Sequence, residues 1–241
     1  MDVDQPRDDR SQARLTSTSG YAEEAAVLGR RYEAVTFEAA FGNFLPYLPE
    51  PPCRVADIGA GTGRDAAWLA ERGYEVTAVE PVPEMRNVAW QLHSDARVRW
   101  IDDALPGLEK LSGEFGLVLM RAVWMHLDES ERARALPRIA ALLAEGGRVM
   151  ITLRYGPVPA GRRMFEVAPE EIIDAGAPLG LKLLHRGHGG DTLGRADVTW
   201  SRLVLERRSR LQVLRRSNDC DPGEPREIGV IGANRRPVLQ G

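Results

Sequence analysis

Lysine is almost missing from this chain: only Lys110 and Lys182 occur, so 30 of the 32 basic residues are arginine. The skew reads first as a bias toward GC-rich codons and second as a supply of forked anion contacts. Cysteine is as scarce. Cys53 and Cys220 lie far apart without paired spacing, which leaves no disulfide framework to read. Excess positive charge is absent too: the net charge of −3 and the pI near 5.9 argue against a protein whose main task is to neutralise nucleic-acid phosphates, so a nucleic-acid partner is not indicated. No apolar run approaches the roughly 18 residues of a membrane span. The chain opens on a polar, acidic segment instead of a basic and then apolar signal peptide. The expectation is a soluble, cytoplasmic protein without a membrane partner; oligomeric state is not legible.

What is present is an ordinary globular composition over 241 residues, 43% hydrophobic and 28% charged, enough for one α/β domain with a buried core. Residues 1–20 lack hydrophobic periodicity and predict a flexible lead. From Tyr21 to Leu48, Ala25, Leu28, Tyr32, Val35, Phe37, Phe41 and Phe44 recur at helical spacing and predict two short helices, a helical N-terminal preface that ends in a proline-rich stretch. Strand and helix patterns then alternate: strands over 54–58, 75–79, 98–101, 117–121 and 148–153, helices over 64–72, 85–92, 129–144 and 170–175. Gly146-Gly147 should stop the helix that begins at 129. This rhythm predicts a doubly wound, mostly parallel sheet with helices on both faces. Two last strands, 181–185 and 199–206, are joined by a loop too short for a crossover helix, so a terminal antiparallel hairpin completes a seven-stranded sheet. The domain boundary falls at 206, and 207–241, rich in Arg, Pro and Gly, reads as a disordered tail whose arginines form a solvated charge run.

The most informative segment is Asp57-Ile58-Gly59-Ala60-Gly61-Thr62-Gly63, which follows a strand and opens a helix. Glycines there let the backbone approach a ligand closely. A dinucleotide turn would want G-x-G-x-x-G, but counted from Gly59 the third glycine's place is held by Arg64, and Gly63 comes one residue early. Asp57, at the strand's carboxyl end, attracts a cationic group and disfavours a pyrophosphate. The segment resembles the D-x-G-x-G-x-G signature of class I S-adenosylmethionine-dependent methyltransferases, a resemblance that extends over about 21–206 and is strongest at 57–63. It implies a Rossmann-like fold of the small bacterial type, S-adenosyl-L-methionine as cofactor and S-adenosyl-L-homocysteine as product. It also implies that Asp57, Gly59, Ala60, Gly61, Gly63, Arg64 and Asp65 surround the methionine part of the cofactor. Glu80, about 20 residues past the turn and followed by Pro81, is placed to accept hydrogen bonds from both ribose hydroxyls.

Asp102, Asp103 and Ala104 end the third strand, where the resemblance implies an acid for the adenine amino group; alternation lets one carboxylate face the crevice, and Asp103 is favoured. Met120 and Arg121 end the fourth strand, where the resemblance implies a place beside the cofactor, with Trp124 and His126 following toward the acceptor. His126 and Arg121 are the catalytic candidates. An imidazole that titrates near neutrality suits proton removal from a hydroxyl acceptor, although packing or helix capping accounts for a histidine there equally well. If the acceptor is a carboxylate, Arg121, Arg154 or Arg162 would position it. The stretch from Arg154 and Tyr155 to Glu166 is expected to be a lid, and Tyr21 and Tyr32 of the preface close the other side. No metal set is evident. The reading is a methyltransferase acting by in-line displacement on a small-molecule acceptor, with two alternatives kept: a non-catalytic cofactor- or partner-binding module, and a macromolecule methyltransferase.

Overall fold

A computed structural model describes residues 16–208 of the chain. Most of the expected lead and tail, 1–15 and 209–241, lie outside the described residues. Residues 16–20, expected within the flexible lead, instead close a turn in which the Thr16 amide donates to Ser19 Oγ at 2.8 Å and the Ser19 amide to Thr16 O at 3.2 Å. The preface is α1 (Tyr21–Glu33), α2 (Phe37–Phe41) and a 3-10 turn over Gly42–Tyr47 that accommodates Pro46. Thr36 caps α2 by accepting the Ala39 amide at 3.1 Å.

The sheet follows: β1 (Arg54–Ile58), α3 (Arg64–Glu71), β2 (Glu75–Val79), α4 (Pro83–Leu92), β3 (Val98–Ile101) and β4 (Phe115–Arg121). Then come α5 (Glu129–Leu142), β5 (Leu143–Tyr155), α6 (Pro169–Gly176), β6 (Leu181–Gly190) and β7 (Thr199–Arg207). Strand order is β3-β2-β1-β4-β5-β7-β6, parallel from β3 through β5, with β7 antiparallel to both β5 and β6. This is the Rossmann-like, doubly wound sheet with a terminal hairpin that the sequence predicts.

One boundary differs. The glycine pair does not stop α5, which ends at Leu142, and β5 starts at once with Leu143 against Phe115 of β4. The pairing slips between Phe115 and Leu117, and a Cβ on Gly147 would stand 2.8 Å from Phe115 O. The pair therefore serves a bulge inside a strand, where the two backbones crowd.

Strand residues alternate between two cores with period two. Ala56, Ile58, Val118, Val149 and Ile151 pack with Ala135 and Ile139 of α5, whereas Val55, Leu117, Leu119 and Met150 pack with Phe37 and Phe41 of α2 and Leu69 of α3. Covered on both faces, the sheet leaves strand ends as the place for chemistry. The direction of winding reverses between β1 and β4, and the connections after those strands diverge there, opening a crevice at their carboxyl ends. No helix among the described residues is long and apolar enough to cross a membrane.

Candidate active site

The crevice is a cavity of about 240 Å³, floored by the turn after β1, flanked by the ends of β2, β4 and β5, and roofed by α1 and the β6–β7 loop. The turn is built by backbone: the amides of Gly59 and Ala60 both donate to Val79 O, at 2.8 and 3.1 Å, and that of Gly63 donates to Ala60 O at 3.0 Å. Gly59 and Gly61 have φ of +70° and +57°, which favour glycine, and a Cβ on Gly59 would come within 2.5 Å of Val123. Glu80 braces the turn, its Oε2 accepting the Gly61 amide at 2.8 Å and its Oε1 the Val82 amide at 2.9 Å. Each oxygen keeps a further lone pair.

Asp57 is 2% exposed and its Oδ2 has no hydrogen-bond partner. Burial, and after it the charge of nearby Asp65, hold its pKa well above the usual carboxylate range, with Arg64 opposing and Glu80 adding to the rise. Asp65 and Glu80 are also raised, in both cases first by burial. Arg64 binds Asp65 through Nε at 2.7 Å and, through Nη1, the carbonyls of Tyr32 and Val35, each at 2.8 Å; Arg121 stands 3.6 Å from Asp65. Three desolvated carboxylates thus gather here, answered in part by Arg64, Arg121 and, behind Glu80, Arg86.

Of the adjacent aspartates, Asp103 lines the cavity with Ala104, its oxygens accepting the amides of Ala104 at 2.8 Å and Lys110 at 2.6 Å. Asp102 is turned to solvent, 3.3 Å from Arg86. Asp57, Gly59, Ala60, Gly61, Arg64, Asp65, Glu80, Pro81, Arg121, Tyr21, Tyr32, His126, Arg154 and Arg162 also line the cavity. Five expected site residues do not. Gly63 packs beneath Trp100 and Ala89, where a side chain would collide. Met120 and Trp124 are buried in the core on the α5 face, because alternation turns Arg121, not Met120, into the crevice. Tyr155 donates its hydroxyl to Val167 O at 2.9 Å away from the cavity, and Asp102 is paired outside it.

His126 differs from a freely titrating base. Its Nδ1 lies 2.6 Å from Arg163 O, a carbonyl that only accepts, so Nδ1 carries the proton and Nε2 a lone pair. Nε2 lies 2.9 Å from the Tyr21 hydroxyl, which therefore donates to it. Burial, aided by the charges of Arg162, Arg163 and Arg154 and opposed by the bond to Arg163 O, brings the imidazole pKa down to about 4. Burial, then the neighbouring Tyr32, raises the Tyr21 phenol. The pair is neutral, and joined across two elements that local sequence could not associate.

The expected lid over 154–166 is clamped. Arg162, 5% exposed, donates to Ser19 O at 2.9 Å and Glu24 at 2.8 Å, and its guanidinium lies 3.8 Å from the Tyr21 ring centroid. Arg163 donates from Nε and Nη2 to His126 O at 3.0 and 2.8 Å and pairs with Glu131, and the Phe165 amide donates to Met125 O at 2.8 Å. Buried arginines make this stretch a fixed wall. Sequence reading missed the β6–β7 loop as cavity wall: its Asp191, Leu193 and Arg195, with Trp200 at the start of β7, line the cavity, and Asp191 binds Arg195 and Trp200 Nε1. The four-residue spacing of Asp191 and Arg195 was visible; that the hairpin folds back over the crevice was not.

Residues 55–147 match a family model described as a methyltransferase domain. An uncharacterized methyltransferase of Mycobacterium tuberculosis is 36% identical over 112 residues, which cover 42% of this chain and 40% of that one. Human glycine N-methyltransferase is 29% identical over 139 residues, 46% of each chain. Among solved structures, magnesium protoporphyrin IX methyltransferase from Synechocystis PCC 6803 with bound SAM superposes with a TM-score of 0.57 at 16% identity, covering 84% of this chain and 92% of that one. The matched stretch spans about two fifths of the length of the mycobacterial relative.

Proposed function

We propose that this chain, whose residues 55–147 match a methyltransferase-domain model, is a class I S-adenosylmethionine-dependent methyltransferase that transfers a methyl group from S-adenosyl-L-methionine to a small-molecule acceptor. The observation that carries the reading is the cluster of Asp57, Asp65 and Glu80 around a glycine turn, with Asp57 Oδ2 buried and unpartnered. Such a site takes a ligand that is cationic and hydrogen-bond donating, and a dinucleotide phosphate does not fit it. Asp57 and the backbone of Gly59 to Gly61 would hold the methionine portion, Glu80 the ribose, and Asp103 with Ala104 the adenine. When bound, the cofactor supplies a methyl group on an already activated carbon, so alignment and exclusion of water supply most of the catalysis.

The chain's own contribution is to orient the nucleophile through Tyr21 and His126. A hydroxyl or amine acceptor would donate its hydrogen bond to Tyr21 Oη, whose own proton is held on the 2.9 Å bond to His126 Nε2, so the pair aligns the acceptor while staying neutral. Arg163 O, fixed on Nδ1–H, keeps Nε2 as the accepting nitrogen. Arg121, held by Asp65, positions ligands at the floor. The enclosed walls support a small acceptor, as do the names of relatives that act on glycine or a protoporphyrin. The domain is drawn at 21–206, with 16–20 closing its cavity, and the place of work is the cytoplasm, supported by the scarcity of cysteine.

Calorimetric titration of the full chain with S-adenosylmethionine, S-adenosylhomocysteine and NADH tests the cofactor. Binding of both adenosyl ligands and not of NADH is the expected result. Binding of NADH alone overturns the reading, and adenosyl binding without transfer to any acceptor in a broad screen would leave a binding module.

A further inference from the structure

The Tyr21–His126 pair is surrounded by arginines, and those closest to it are mostly answered by carboxylates. Arg162 is paired with Glu24 at 2.8 Å, and Arg163 with Glu131 and, at 3.9 Å, Asp128. Arg195, on the overhanging loop, is bound by Asp191 at 2.8 Å. Arg154, at the end of β5 and lining the same cavity, has no carboxylate within 4.0 Å among the described residues. Its one protein hydrogen bond runs from Nη1 to Pro157 O at 2.9 Å. Among the described residues the Nε–Nη2 edge is left without a protein acceptor. That edge carries two parallel N–H groups at the spacing of a carboxylate's oxygens.

The surroundings sharpen the demand. Burial, followed by the charge of Arg195, destabilises the Arg154 cation, and Asp191 and Asp197 compensate only from a distance. A guanidinium does not escape by losing its proton, so a partly desolvated one is stabilised by an incoming anion. The cavity is also polar in a definite sense: its floor carries the desolvated carboxylates Asp57, Asp65 and Glu80, while Arg154 stands near Tyr21 and His126 on the other side. On the floor Arg64 and Arg121 are already engaged by Asp65, so a second anionic group is received at the open edge of Arg154.

We propose that the methyl acceptor is a small carboxylate-bearing molecule, anchored through its carboxylate to the Nε–Nη2 edge of Arg154 with its amine or hydroxyl nucleophile directed to Tyr21. The proposal rests on the methyl-transfer reading of the cavity. Arg154 is a substrate-binding residue and takes no part in proton transfer.

The test is binding of acetate and benzoate to the full chain, followed by NMR with and without S-adenosylhomocysteine, against acetamide, benzamide and phenyl phosphate. The acids are expected to bind at least ten-fold more tightly than their amides. Arg154→Gln should remove that preference while leaving amide and S-adenosylhomocysteine binding within about two-fold, and Arg154→Lys should restore only part of it. Equal binding of acid and amide, retention of the acid preference in Arg154→Gln, or a stronger preference for the phosphate ester would overturn the proposal. Acid binding through Arg154 without any S-adenosylhomocysteine binding would uphold the anion site and sink the methyltransferase reading, so the two fail separately.

Discussion

Asp57 is 2% exposed with one unpartnered oxygen, and its raised pKa means that the folded chain holds a proton more tightly there than the unfolded chain does. The stability contributed by this tighter proton is present at low pH and is lost as pH rises through the folded-state value. Ionisation of this buried carboxyl therefore opposes folding and is favoured by a cationic partner beside it. Asp57→Asn should raise the melting temperature and weaken S-adenosylhomocysteine binding by about 2 kcal/mol, roughly thirty-fold. Thermal denaturation and calorimetry on one preparation check both signs; a variant both less stable and equally tight would remove Asp57 from the ligand site. The carboxylate before the glycines was legible, because its type and position carry the chemistry. Its lack of a partner was not, since that depends on what β2, α3 and the preface place around it.

At the scale of elements, α1 is a roof held by side chains from distant segments: Arg64 on the Tyr32 and Val35 carbonyls, Thr62 on Glu33 at 2.9 Å, and Arg162 on Ser19 O and Glu24. Arg162→Gln should lower the free energy of opening the first turn of α1 by about 2 kcal/mol, the scale of lost charge-assisted hydrogen bonds. Hydrogen exchange over 16–24 would accelerate while exchange in β1, β4 and β5 stays slow. Uniform acceleration across the sheet would mean that Arg162 supports the fold as a whole. Helical periodicity reveals α1 as an amphipathic helix, but it does not say which crevice the helix covers. The expected lid over 154–166 does line the cavity, and what the sequence could not show is how Arg162 and Arg163 tie it to the preface and to α5, because those partners lie far along the chain.

For the molecule as a whole, the consequence of a buried neutral His126 is acid sensitivity. Its pKa is about 4 in the fold, against the ordinary imidazole value of about 6.5, so between these values the unfolded chain binds more protons and stability falls as pH drops. The full effect is about 3 kcal/mol. Carboxylates raised by burial act in the opposite direction, so the comparison that isolates the histidine is wild type against His126→Gln in urea denaturation at pH 7.5, 5.5 and 4.5. The wild type should lose more stability than the variant across that range. Parallel losses would show that His126 is not buried as a neutral imidazole.

Periodicity, glycine placement and one acidic residue were sufficient in the sequence for the alternating α/β order, the terminal hairpin and the ligand turn, because these are set by neighbours along the chain: period two against period 3.6, and backbone angles available to glycine. The tertiary structure decided what depends on distant segments meeting. It joined Tyr21 to His126 and fixed the tautomer through Arg163 O, and it selected Asp103 over Asp102. It left Arg154, among the described residues, without a carboxylate partner beside the Tyr21–His126 pair and buried Met120 and Trp124 in the core. The physical reason is that charge, desolvation and hydrogen-bond partnership are properties of surroundings, and those surroundings exist only once the strand ends converge.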